Sequence, residues 1–103
     1  MNPSLHISSI AMELKYTLLT NPNPRTNFRA LHEIEHALNE LKGYCLYSTD
    51  KASQLFRYAK EFYRDQAAET DEKYKQMLSL AEQIDRAAQI HVQRDALNRA
   101  SSE

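Results

Sequence analysis

Residues 27–43 read NFRALHEIEHALNELKG, and this stretch decides the fold class. Phe28, Leu31, Ile34, Leu38 and Leu41 recur at helical spacing, with Ala30 and Ala37 on the edge, so one apolar face runs the length of a helix. Two X-Pro steps in Asn21-Pro22-Asn23-Pro24 stop whatever precedes it, because proline lacks the donor and disfavours helix in the residue before it. Asn23 with Pro24 behind it, Thr26 or Asn27 can cap the start. Gly43, the only glycine, suits a left-handed cap at the end. This second helix is expected over 25–42.

Working backwards, a first helix is expected over 5–19, opened by Ser4 as cap. It carries two apolar seams. Ile7, Ala11, Leu14 and Leu18 form one with Ile10 beside them, and Leu5, Met12, Tyr16 and Leu19 form another on the opposite side. Two apolar faces need two covers, either burial at the centre of a bundle or a partner.

Working forwards, Tyr44-Cys45-Leu46-Tyr47 is apolar enough to be expected to tuck over the end of the bundle. No glycine or proline follows to the C-terminus. A third helix is expected over 49–69, capped at Ser48, Thr49 or Asp50 and burying Ala52, Leu55, Phe56, Ala59, Phe62 and Tyr63. A fourth is expected over 71–99, with its seam at Tyr74, Met77, Ala81, Ile84 and Ala88, and Leu80 and Ala87 alongside. Between them only alanines are apolar from Arg64 to Lys73, which favours a turn near Glu69-Thr70-Asp71 over one continuous rod. The fourth helix is overlong at roughly 42 Å, and after Ala88 its pattern rotates so that Ile90 and Leu97 leave the seam. Residues 101–103 are expected to fray.

The fold class expected is therefore all-α, a small antiparallel bundle of about four helices in one domain over 1–103. At 103 residues the chain suits one modest core, and one glycine leaves no turns for a sheet or a dinucleotide-binding fold. A net charge of −1 argues against broad adhesion to nucleic acid or membranes. A single cysteine, Cys45, excludes an internal disulfide, and its apolar neighbours suggest a small buried side chain. The opening MNPSLHISSIAMELK lacks a basic leader followed by an apolar core, and no run reaches the length of a membrane span, so a cytoplasmic protein is expected.

The one catalytic-looking motif is His32-Glu33-Ile34-Glu35-His36. Histidines at i and i+4 can bind zinc, and the intervening glutamate can activate water. Over Leu31 to Leu38 the words resemble the active-site helix of the zincins, which would imply a zinc-dependent hydrolase; were a site formed, Glu61 or Glu69 would be this chain's third-ligand candidates. Glu35 stands where zincins carry an uncharged residue, and Asn39 and Lys42 stand where the metzincin glycine and third histidine belong. On the wheel both histidines point away from the core seam. The expectation is a solvated face with Arg29–Glu33 and His36–Glu40 neighbour pairs, no catalytic residue, no metal and no cofactor. His6 is expected at the surface and His91 at the core edge.

Arg57, Lys60 and Arg64 form a basic ridge near Tyr58 and Tyr63, interrupted by Glu61 and followed by Asp65. Such a ridge can attract an acidic protein, or nucleic acid weakly. The order of helix, Asn21 to Pro24, helix, then Tyr44, Leu46 and Tyr47 is similar to that of type III secretion needle subunits. The separation here is longer and the chain continues further, so a secretion-related partner is one expectation among several. The function expected is non-enzymatic protein–protein interaction, as an adaptor, inhibitor, chaperone or assembly subunit. The partner is another protein or a second copy of the chain, with nucleic acid and membrane not expected. The candidate partner-binding residues are Leu5, Met12, Tyr16, Leu19, Arg57, Lys60, Arg64, Ile90 and Leu97.

Overall fold

The computed structural model describes residues 3–65 and 68–101. Four helices follow one another: α1 (Pro3–Thr20), α2 (Phe28–Leu41), α3 (Leu46–Tyr63) and α4 (Thr70–Ser101), with no strand among the described residues. Each helix packs on two neighbours in the ring α1–α2–α3–α4–α1, so α1 lies diagonally across from α3, and α2 from α4. This is the antiparallel bundle the sequence predicts.

The core is built from the expected seams. Ile7, Ile10, Ala11, Leu14 and Leu18 of α1 meet Leu31, Ile34, Leu38 and Leu41 of α2, and Leu55, Ala59, Phe62 and Tyr63 of α3 close over Met77, Ala81, Ile84 and Ala88 of α4. Phe56 and Tyr74, expected in the core, are only partly buried against it. Phe28 is a plain correction: it is 65% exposed. Ala30 and Ala37 are buried as deeply as the leucines. That centres the buried face near Ile34, and Phe28 sits about 120° around the helix from it.

Helix ends differ from expectation for identifiable reasons. Pro3 opens α1, its fixed φ suited to a first turn, so Ser4 lies inside the helix, where its hydroxyl donates to Asp95 Oδ2 at 2.5 Å. Asn27 caps α2, its Oδ1 accepting from Ala30 N at 3.0 Å, so this helix starts three residues after Arg25. The cap is anchored on α3, because Asn27 N donates to Tyr63 O at 2.8 Å. Gly43 does not adopt a left-handed conformation, and Lys42 ends α2 in right-handed helical geometry. The amides of Tyr44 and Cys45 both reach back to Leu41 O, at 3.1 and 3.3 Å, and close the turn without it.

α3 then begins three residues earlier than expected, with Cys45 at its cap position, and ends at Tyr63 instead of residue 69. Beyond Phe62 and Tyr63 no large apolar side chain is left to hold a further turn, and Asp65 N folds back to Lys60 O at 2.9 Å. Glu69, placed by sequence in the turn, precedes α4 with φ of 64°, an uncommon left-handed conformation for a side-chain-bearing residue. α4 spans 32 residues, about 48 Å, and is buried only as far as Ala88. It includes Ser101; the rest of the expected frayed tail lies outside the described residues.

Two tyrosines lock the end of the bundle where α1 turns into α2. Tyr63 OH donates to Asn21 O and Tyr74 OH to Leu18 O, both at 2.7 Å. They supply partners to carbonyls in the last turn of α1 and just beyond it, which have none within the helix. Phe62 sits between their rings, edge-on to Tyr63 at 4.9 Å and stacked on Tyr74 at 5.5 Å.

Candidate functional site

With one face of α1 in the core, the other stands in solvent. Leu5, Met12, Tyr16 and Leu19 are between 56 and 70% exposed. Burial at the centre of a bundle, one of the two covers open to this helix, is excluded within the single chain. Ser9 completes the stripe, which then runs 5, 9, 12, 16, 19, the alternating four-and-three spacing of a coiled-coil seam. Its two edges are pinned. On the α4 side Lys15 Nζ reaches Glu82 Oε2 at 3.0 Å and Asp85 Oδ2 at 3.3 Å, and Gln89 donates to Ser8 Oγ at 3.2 Å. The hydrogen bonds that Lys15 donates to Glu82 and Asp85 raise its pKa, and Lys15 in turn lowers that of Glu82. On the α2 side Thr17 Oγ1 donates to Glu33 at 3.0 Å, and His6 Nε2 lies 2.9 Å from Glu40. His6 is thus half-buried, not free at the surface, with its ring 5.3 Å from that of Tyr44.

The other predicted partner-binding residues lie elsewhere. Arg57 and Lys60 are on α3, diagonally opposite α1, and Arg64 follows its last turn. The three cations are locally engaged: Arg57 lies 6.0 Å from the Tyr58 ring centre, Lys60 Nζ 5.0 Å from that of Phe56, and Arg64 Nε 2.9 Å from Asp65. The Arg64–Asp65 hydrogen bond raises the arginine pKa and lowers that of the aspartate. Ile90 and Leu97 are both exposed, on the part of α4 beyond the core. The nine residues therefore fall on three surfaces, of which only the α1 stripe is continuous.

His32 and His36 are exposed, as the wheel predicts, but they do not look onto a bare face. With Glu13, Tyr16, Thr17 and Glu33 they line an open groove of about 410 Å³ between α1 and α2. Glu33, the would-be general base, is held by Thr17 and lies 3.5 Å from Arg29, and His36 lies 4.0 Å from Glu40. Among the described residues no group of three or more His, Cys, Asp or Glu is placed to hold a metal ion, so neither Glu61 nor Glu69 joins the histidines.

A second depression, about 370 Å³, opens where α3 begins against α4. The link expected to cover this end instead leaves Tyr44, Leu46 and Tyr47 exposed, Leu46 at 89%. Because α3 already begins at Leu46, Leu46 and Tyr47 stand on its outer face. Cys45 is half-buried in the depression with His91, flanked by Arg86 and Arg94. Burial pushes its thiol up, but the amides and hydroxyl of the first α3 turn and the His91 ring outweigh that and bring it down to about 7. Sequence reading missed this pairing because 46 residues separate the two side chains. The one available signal was the spacing from Cys45 to Ser48, that of a cap residue to the third helical position.

No helix among the described residues is long and apolar enough to cross a membrane. No family model, curated protein or solved structure matches the chain.

Proposed function

We propose that the protein is a non-enzymatic helical interaction module, of adaptor, chaperone or assembly-subunit type, acting in the cytoplasm. Its binding face is the α1 stripe of Leu5, Met12, Tyr16 and Leu19. One observation carries this reading: a helix whose inner face completes a core exposes a second seam at coiled-coil spacing. The partner that fits is another helix with an apolar seam, from a second copy or a different protein. The four side chains offer roughly 500 Å² per face, so a two-helix contact of about 1,000 Å² sits at the lower edge of specific association. Met12 and Tyr16 lie at its centre and form the anchor.

The test combines light scattering across a concentration series with a photo-crosslinking residue in place of Leu19. The expected result is a mass above the 12.0 kDa monomer, or a crosslinked protein partner, lost in Met12→Asp and Tyr16→Asp while helicity is kept. A strictly monomeric chain whose crosslinker captures nothing refutes the proposal.

A further inference from the structure

We infer that His32 and His36 are half of a divalent transition-metal site, of the kind zinc fills, which a second copy of the chain completes across the α1–α2 face. The inference rests on reading the α1 stripe as a binding face and names its occupant.

The two histidines stand one turn apart on α2, about 6 Å along its axis, and both line the groove against α1. Both are exposed. His36 Nε2 lies 4.0 Å from Glu40 Oε1, beyond hydrogen-bonding distance, and Glu40 is engaged by His6 at 2.9 Å, so the His36 ring is free to turn. Two imidazoles at this spacing close on one ion as a two-nitrogen clamp. A tetrahedral ion takes two more ligands, and among the described residues no third His, Cys, Asp or Glu of the same chain is placed to join them. A two-fold contact presents every surface ligand twice, so two such pairs meeting on the axis make four nitrogens.

The fold places the pair where that axis passes. The Thr17–Glu33 hydrogen bond fixes the level, and His32 and His36 flank the part of α1 that runs from Glu13 to Thr17. Matching the α1 stripe antiparallel to itself about Tyr16 sets Met12 against Leu19 of the second copy. The axis of that match crosses α1 and α2 at the same level. It lays α2 over α2, groove over groove, and histidine pair over histidine pair. Tyr16 belongs to both the stripe and the groove wall. Phe28, 65% exposed, continues the apolar surface along the ridge of α2 that carries His32 and His36.

Two features make the pairing depend on metal. The stripe alone gives a contact of about 1,000 Å², the lower edge of specific association. Glu13 and Glu33 make each groove lining acidic, so two linings face to face repel until a cation lies between them. A bridging ion removes that repulsion and adds four metal–nitrogen bonds.

The experiment uses untagged protein, with zinc titrated against a chromogenic chelator and mass followed by light scattering in zinc and in EDTA. Expected is one zinc per two chains, and a mass in zinc twice the 12.0 kDa seen in EDTA. His32→Ala or His36→Ala takes away two of the four ligands and should abolish both, with helicity kept because the positions are exposed. His91→Ala, on α4, should change neither. No zinc binding, or one zinc per chain with no gain in mass, overturns the inference as an adventitious ion only. A dimer equally strong in EDTA also overturns it and leaves the stripe reading standing. A zinc dimer undiminished in Met12→Asp supports the histidine bridge and overturns the stripe reading instead.

Discussion

Replacing Tyr63 by phenylalanine tests how the end of the bundle is held. Tyr63 is fully buried, and its hydroxyl donates to Asn21 O at 2.7 Å, joining α3 to the turn after α1. The variant keeps the ring and its edge-on contact with Phe62 but leaves the Asn21 carbonyl without that partner. Asn21 is half-buried, so water replaces part of the loss, and the cost at neutral pH should be about 1 kcal/mol, near the mean for one hydrogen bond. In a domain of this size that lowers Tm by roughly 4–8 °C.

The pH dependence makes the test sharper. Burial raises the Tyr63 pKa well above the ordinary value of 10, and the neighbouring Tyr74 adds to the shift. The folded state therefore keeps its proton while the unfolded chain releases one. The contribution is complete below the unfolded pKa and is lost as pH rises from there toward the folded value. At pH 11 the wild type has given up about 1.4 kcal/mol through this residue, and the phenylalanine variant nothing. Urea denaturation at pH 7 and at 11 should show the variant weaker at the first and level with, or slightly above, wild type at the second. A variant equal to wild type at pH 7, or one with a constant deficit to pH 11, refutes the clamp.

Other perturbations read out different parts of the fold. Phe28→Ser should change stability by less than about 0.5 kcal/mol in urea melts, as expected of a surface site, whereas a core phenylalanine would cost 3–5. Asn27→Ala removes the cap of α2 and should cost about 1 kcal/mol, measured the same way. Glu69→Gly relieves a left-handed conformation and should raise Tm by a few degrees, a gain of roughly 0.5–1 kcal/mol. Leu55→Ala, at a fully buried position between α3 and its neighbours, should cost 2–5 kcal/mol.

Much of this was legible before any coordinates. The apolar spacing in residues 27–43, the proline pair before it and the scarcity of glycine are local facts, and local periodicity is enough to specify helices and their inner faces. The same holds for the break between α3 and α4, where large apolar side chains run out after Tyr63. The outward direction of His32 and His36 followed from the wheel alone. Where local reasoning failed, a distant group had intervened. Asn27 caps α2 in register with Tyr63 of α3, Ser4 gives its hydroxyl to Asp95, and Gly43 is not needed because Leu41 O closes the turn.

Periodicity identifies a face but not what lies opposite it. The sequence alone determined that α1 has two apolar seams, since that follows from residue spacing. Only the tertiary structure decided that one fills the core while Leu5, Met12, Tyr16 and Leu19 stay in solvent, because coverage depends on how many neighbours a helix has in the ring. The Cys45–His91 pairing is a tertiary fact of the same kind: two side chains far apart in the chain meet because α3 begins against α4.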